Sequence, residues 1–348
     1  MKKTVRRIFV LLVALAMLAA GAVQVFAGEK VETEKDVALT ISFTDGDKVI
    51  KNAPFSIWKV ADVSESDQYS LTEAFKPFER SVKGLYSLNE ITNAQVWTDM
   101  ACTLSGIVQD QEIAQNAGGK TDANGALPLT VKPGLYLVTG KRTAGPDDYE
   151  YVPYAFMLHL PAVDVDTNGW SYDVTVSPKY EKEYVPPEDP DEPDEPRRVT
   201  RKVLKVWDDK GCEEDRPDEV TVKLLRDGKT YDTQKLSDAN DWKYTWNDLS
   251  DRYDWTIVEK LVDGYTVSVS HSGITFVVTN TKTPPYVPPV EPPDEPPVEP
   301  PEEPPVTPPA PGEPKLPQTG VLWWPVPVLL YLGIISLVIG LVRRRRNN

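Results

Sequence analysis

Three side chains in the second half of this 348-residue sequence combine reactive chemistry with an unexpected phase. Lys205 falls in step with Val203 and Trp207, Glu259 with Ile257, and Asn280 with Ile274, Phe276 and Val278. Successive side chains of a strand point to opposite faces, so each of the three belongs to an apolar, inward-facing row. A charge buried without a partner is too unfavourable to be incidental. Desolvation drives a lysine toward the neutral amine and a glutamate toward the protonated acid. The first is a nucleophile, the second a hydrogen-bond donor and proton carrier, and a carboxamide is something both can act on. A second group stands near the C-terminus, Leu316-Pro317-Gln318-Thr319-Gly320. Pro317 excludes helix there, and Gly320 leaves the backbone open to a protease-like cleft.

The elements that must position these groups follow from pattern. Residues 1–27 have a basic start, an apolar run and small residues ending at Ala27, the plan of a cleaved signal peptide. Residues 28–183 read as a mainly β domain. Alternation in 37–43 and 55–60 gives strands, helical spacing from Leu88 to Val108 gives an inserted amphipathic helix, and strands resume at 127–131, 134–139, 155–160 and 170–176. Residues 184–198 alternate proline and acid, a stiff linker. Residues 199–283 carry seven short alternating strands, a second β-sandwich. In 284–315 Pro-Pro pairs recur every four residues, a polyproline stalk of about 90–100 Å if fully extended. Residues 321–342 are apolar over a bilayer-spanning length, Trp323 and Trp324 mark the outer edge, and four arginines open the tail 343–348. The pentapeptide 316–320 is therefore expected just outside a membrane.

Composition removes several function classes. A net charge of −15 offers no positive face to phosphates, so no nucleic-acid partner is expected. Two cysteines, Cys102 and Cys212, fall in different domains and two histidines lie far from them, so neither a disulfide framework nor a zinc site is predicted. The run 164–169 opens like a calcium loop but has Thr175 at its twelfth position, and it reads better as a hairpin turn. No cofactor is implied, and no nucleophile–histidine–acid set suggests an enzyme.

Several stretches resemble known families. Leu316 to Gly320 with the following apolar span and arginines resembles the LPXTG cell-wall sorting signal of Gram-positive surface proteins. That resemblance implies cleavage between Thr319 and Gly320 by a sortase and transfer of the Thr319 acyl group to a peptidoglycan precursor or another protein. Lys205-Val206-Trp207-Asp208-Asp209, Arg216-Pro217, the run 220–228, Val258-Glu259, Gly264-Tyr265 and Thr279-Asn280-Thr281 resemble the Cna B-type repeat of adhesins and pilins. Such domains commonly join a first-strand Lys to a last-strand Asn or Asp, promoted by an acid. Carried over, this implies a Lys205–Asn280 isopeptide bond promoted by Glu259, with Lys202 a rival lysine on the opposite face. Residues 120–179 resemble the immunoglobulin-like, prealbumin-like domains of pilins, and no equally well-phased first-strand lysine appears in that domain. Trp170 to Lys179 resembles the pilin motif, whose lysine attacks the acyl-enzyme of the next subunit, with Ser177 and Tyr180 departing from it. Lys179 is the implied nucleophile. The resemblances imply a wall-anchored, basal or minor pilin subunit with sortase and other subunits as partners. The alternative is a stand-alone adhesin for a host surface protein or glycan.

Overall fold

The computed structural model describes residues 30–185, apart from 166 and 168, and residues 197–283. The signal peptide, most of the linker, the stalk, the pentapeptide, the apolar span and the basic tail lie outside the described residues. Among those described, no helix is long and apolar enough to cross a membrane.

The first domain is built on two sheets. Strand Val37–Ser42 lies between Asp173–Val176, parallel to it, and Ala126–Val131, antiparallel. Val37, Leu39 and Ile41 face inward, as their alternation requires. The facing sheet runs Phe156–Leu160, Gly134–Gly140, Pro54–Val63, Tyr69–Leu71. Its central strands are buried on both faces, which explains why Gly134-Leu135-Tyr136-Leu137-Val138 reads as an unbroken apolar run. One face, with Phe55, Ile57, Tyr136 and Val138, packs on the first sheet. The other, with Trp58, Val60, Leu135 and Leu137, packs on the helix Ala94–Asp110.

The helix departs from its expected limits. It begins at Ala94, capped by the Asn93 side chain accepting from the Gln95 amide, while Leu88 sits in a separate 3-10 turn, Leu85–Glu90. Its second half is buried nearly all round, because it packs on its own sheet and on the second domain as well. Two further strands, Tyr149–Pro153 and Tyr180–Tyr184, pair with each other in stretches to which the sequence pattern assigns no element. The segment 162–171 forms the expected hairpin, Ala162–Asp164 with Gly169–Ser171.

The second domain is a sandwich of a four-stranded and a three-stranded sheet. In order they are Lys243–Ser250, Arg198–Asp208, Thr275–Thr281, Thr266–Ser272, and Lys229–Ser237, Glu219–Arg226, Trp255–Glu259. The first and last strands of the domain lie side by side and parallel, with Lys205 opposite Val278 and Trp207 opposite Asn280. All seven expected strands are present. Ile274, expected on the inward row of the last strand, is instead exposed in the turn that precedes it.

The domains touch directly. Leu225 and Val258 of the second join the apolar cluster around the helix, and Cys102 of the helix packs on the second domain's core. The ends of the linker are also close, since the Arg197 guanidinium donates to the Tyr184 carbonyl at 2.7 Å. Lys223–Asp110 at 2.7 Å and Arg142–Asp254 at 3.9 Å cross the same boundary.

Within the first domain, the buried Thr121 hydroxyl donates to the Ile50 carbonyl at 2.8 Å and accepts from the Ala53 amide at 2.9 Å. Thr121→Val keeps the shape but strands both backbone groups. It is expected to destabilise the protein by about 1–3 kcal/mol, measured by chemical unfolding; an unchanged midpoint would contradict this role.

Candidate crosslinking site

Parallel pairing of the first and last strands brings two side chains of the sequence-predicted set into one enclosed space, and the strand Trp255–Glu259 supplies the third from the facing sheet. The Lys205 and Glu259 side chains are fully enclosed, with Lys205 Nζ 3.6 Å from Glu259 Oε2. Asn280 has no exposed surface. Lys205 Nζ also donates to the carbonyls of Val206 at 3.1 Å and Val278 at 3.4 Å, and it lies 4.3 Å above the centre of the Trp207 ring. Lys202 is exposed on the opposite face, as its phase requires.

The electrostatics follow from this burial. Desolvation lowers the Lys205 amine to about 8, opposed by the attraction of Glu259. Burial pushes the Glu259 carboxyl up, opposed by Lys205 and by hydrogen bonding to the Asn280 side chain. The amine and the acid are thus moved toward each other's range, the arrangement a proton exchange between them needs. Neither Glu259 oxygen nor either polar atom of the Asn280 amide has a well-formed hydrogen bond among the described residues. Buried polar atoms without partners are rare, and each is unfavourable by about 1–3 kcal/mol. Their gathering around one amine singles this space out as the candidate site.

A group of residues that sequence reasoning had assigned no role walls the space. Asp209 is enclosed and receives two hydrogen bonds from the Arg216 guanidinium, at 2.8 and 2.6 Å, and one from the Tyr265 hydroxyl at 3.0 Å. Bonding to Arg216 holds the Asp209 carboxyl below its usual range. Trp207 stands edge-on to Trp242 and Tyr265, at 5.3 and 5.1 Å between ring centres, and so is fixed over the amine. The signal was available, because Val203, Lys205, Trp207 and Asp209 continue one alternating row.

The other predicted residues lie apart. Lys179 is exposed, follows the buried Pro178, and accepts from the Tyr154 amide through its carbonyl at 2.9 Å. It sits in the break between Asp173–Val176 and Tyr180–Tyr184, so a strand separates it from the linker. Leu316, Pro317, Gln318, Thr319 and Gly320 lie outside the described residues. Among those described, no group of acidic, histidine or cysteine side chains could hold a metal. In the first domain the inward positions of the first strand are Val37, Leu39 and Ile41, and those of its parallel partner are Val174 and Val176. That arrangement offers no amine there.

Residues 201–281 match the family model of the Cna protein B-type domain. The match covers the whole sandwich that holds the enclosed lysine. An alignment 148 positions long with the collagen adhesin of Staphylococcus aureus, spanning 35% of this chain and 12% of that protein, is 32% identical. Among solved structures, a single B repeat of the S. aureus collagen-binding surface protein aligns over 72% of this chain and 99% of its own, at 18% identity and a TM-score of 0.24. The shaft pilin SpaA of Lactobacillus rhamnosus GG aligns over 71% and 98%, at 13% identity and 0.26. The major pilin SpaA of Corynebacterium diphtheriae aligns over 71% and 99%, at 11% identity and 0.26. Superpositions this loose transfer no residue, and the fold rests on the pairing described above.

Before any bond forms, the lowered Lys205 amine makes stability depend on pH. Between about 8 and the ordinary 10.5 the unfolded chain binds more protons than the folded one, so stability rises with pH across that window. Asn280→Ala leaves the amine free. It is expected to gain about 2 kcal/mol between pH 8 and pH 10 relative to Asn280→Ala/Lys205→Met, measured by urea unfolding. Parallel pH profiles for the two variants would contradict the lowered amine.

Proposed function

We propose that this chain is an exported surface protein of the pilin type, a sortase substrate that carries a self-formed isopeptide bond between Lys205 and Asn280. The observation that carries the reading is the joint enclosure of Lys205 and Asn280, from the parallel first and last strands of a Cna B-type domain, with Glu259 from the facing sheet.

The step balances without a co-reactant. Neutral Lys205 Nζ adds to Asn280 Cγ while protonated Glu259 hydrogen-bonds the amide oxygen. Glu259 relays one proton from Nζ to the leaving Nδ2, the Cγ–Nδ2 bond breaks, and ammonia departs. Glu259 ends as it began, so the chemistry occurs once per molecule and there is no turnover. Closing a loop of roughly 75 residues stabilises by about 4–5 kcal/mol on the chain-entropy estimate used for disulfides. That suits an exported protein whose two cysteines are both free.

Around this domain the remaining motifs take complementary parts. Cleavage after Thr319 by a sortase joins the chain to a peptidoglycan precursor, with the polyproline stalk holding the domains away from the membrane. Lys179 serves as the amine that receives the acyl group of another subunit, and a stalk of this length fits a basal or minor subunit. Exposure of Lys179 on a backbone fixed by Pro178 and Tyr154 supports that role. A second reading, a stand-alone adhesin for a host surface protein or glycan, draws on the 32% identity to a collagen adhesin.

Wall extracts of cells carrying Lys179→Ala distinguish the two. Loss of the high-mass ladder, with the single subunit still anchored, is the outcome the pilin reading expects. A ladder identical to wild type would remove Lys179 from polymerisation and leave the adhesin.

A further inference from the structure

The strand Thr266–Ser272 is the edge of the crosslink-bearing sheet, and its outer side is occupied by the first domain. The Val267 amide donates to the Ser81 carbonyl at 2.9 Å and the Lys83 amide donates to the Val267 carbonyl at 2.9 Å, a parallel bridge between Val82 and Val267. The next outward amide, that of Val269, donates to the Thr103 hydroxyl of the helix at 2.8 Å. That hydroxyl donates in turn to the Asp99 carbonyl at 2.6 Å, so its one proton is used.

The register makes these contacts specific to the reacting groups. Val267 pairs with Asn280, and Asn280 pairs with Trp207, so the first-domain segment 81–83 extends the one sheet row that contains the acceptor amide. The Lys83 side chain reaches further. Its Nζ lies 3.4 Å from Thr281 Oγ1 and 3.7 Å from Asp208 Oδ2. Thr281 directly follows Asn280, Asp208 lies on the lysine-bearing strand, and the two are themselves register partners. One first-domain ammonium therefore spans the two strands that the bond would join.

The helix supplies the remaining contact. It lies over the strands Trp255–Glu259 and Thr266–Ser272, the edges of the two sheets. At Gly106 the helix approaches closely enough that an added Cβ would meet the Ile257 carbonyl at 2.5 Å. Ile257 is two residues from Glu259 on the same inward row.

We propose that the first domain completes the crosslinking site, with Lys83 and the helix around Gly106 positioning Asn280 and Glu259 for attack by Lys205. This inference rests on the isopeptide reading. Lys83 is half exposed, and its pairing contributes little to stability. Its effect is geometric, and misplacement of reacting groups by about 1 Å slows a reaction by about a hundredfold.

The test uses the full chain made by cell-free synthesis, with intact mass followed over time for the loss of one ammonia. Gly106→Val, which forces the helix away from Ile257, is expected to slow the loss by about a hundredfold, and Lys83→Ala by about tenfold. Lys83→Arg, which keeps the charge and reach, restores most of the rate. Hydrogen exchange at Val267 and Val269 reports docking independently, and both amides are expected to lose protection in Gly106→Val. Wild-type rates in Gly106→Val and Lys83→Ala overturn the proposal, as does unchanged protection of the two amides in Gly106→Val. Should Gly106→Val fail to fold, the Lys83→Ala and Lys83→Arg pair alone decides, since that surface exchange leaves the core intact. A wild-type chain that never loses ammonia removes the isopeptide reading itself, a result distinct from a changed rate.

Discussion

Enclosure of an amine and an amide from two parallel strands with an acid from the facing sheet is the constraint on which the rest of this molecule depends. A lysine ammonium and a carboxylate together in an apolar interior are individually unfavourable, and at 3.6 Å their mutual attraction does not fully offset desolvation. The same burial that penalises the charges makes their neutral forms accessible, and the neutral forms are those the proposed bond requires. Stability and chemistry are therefore one problem here. The covalent product would remove the buried amine and tie the ends of the domain together.

The wall of the site is organised to hold that geometry. Trp207 is fixed over the amine by Trp242 and Tyr265, and Asp209 is satisfied by Arg216 and Tyr265, so the nearest full charge outside the site is already paired. Beyond the wall, small residues of one helix let the first domain approach closely. Gly106 brings the helix against the Ile257 carbonyl, and Thr103 satisfies an edge amide that would otherwise face solvent. An exposed sheet edge invites pairing with other chains, and covering it removes that hazard as well.

Alternation made the second domain legible, because each of its strands keeps one face in the core. It even placed Lys205 and Asn280 correctly, and failed only at Ile274, where Gly273 turns the chain with φ +57° and the strand begins a residue later. The first domain was harder to read. Leu88 keeps helical spacing with the residues of Ala94–Asp110 but belongs to a separate turn, and spacing alone does not show where a helix is capped. The strand Tyr180–Tyr184 went unseen because three of the five residues in Tyr-Glu-Lys-Glu-Tyr are charged, Glu183 and Lys182 being held by Arg142 and Asp45. The contact between domains left no trace, since glycine, threonine and serine on a helix carry no sign of what they approach. Lys83 is likewise an ordinary surface lysine until the register shows which strands it spans.

The most direct test of the central claim is to digest the purified full chain and look for a branched peptide pair joined through Lys205 and Asn280. The account predicts that pair, one ammonia lighter than the sum of its free peptides, in the wild-type protein and its absence from Glu259→Ala. Recovery of the two peptides separately from the wild-type protein, each at its unmodified mass, would contradict it.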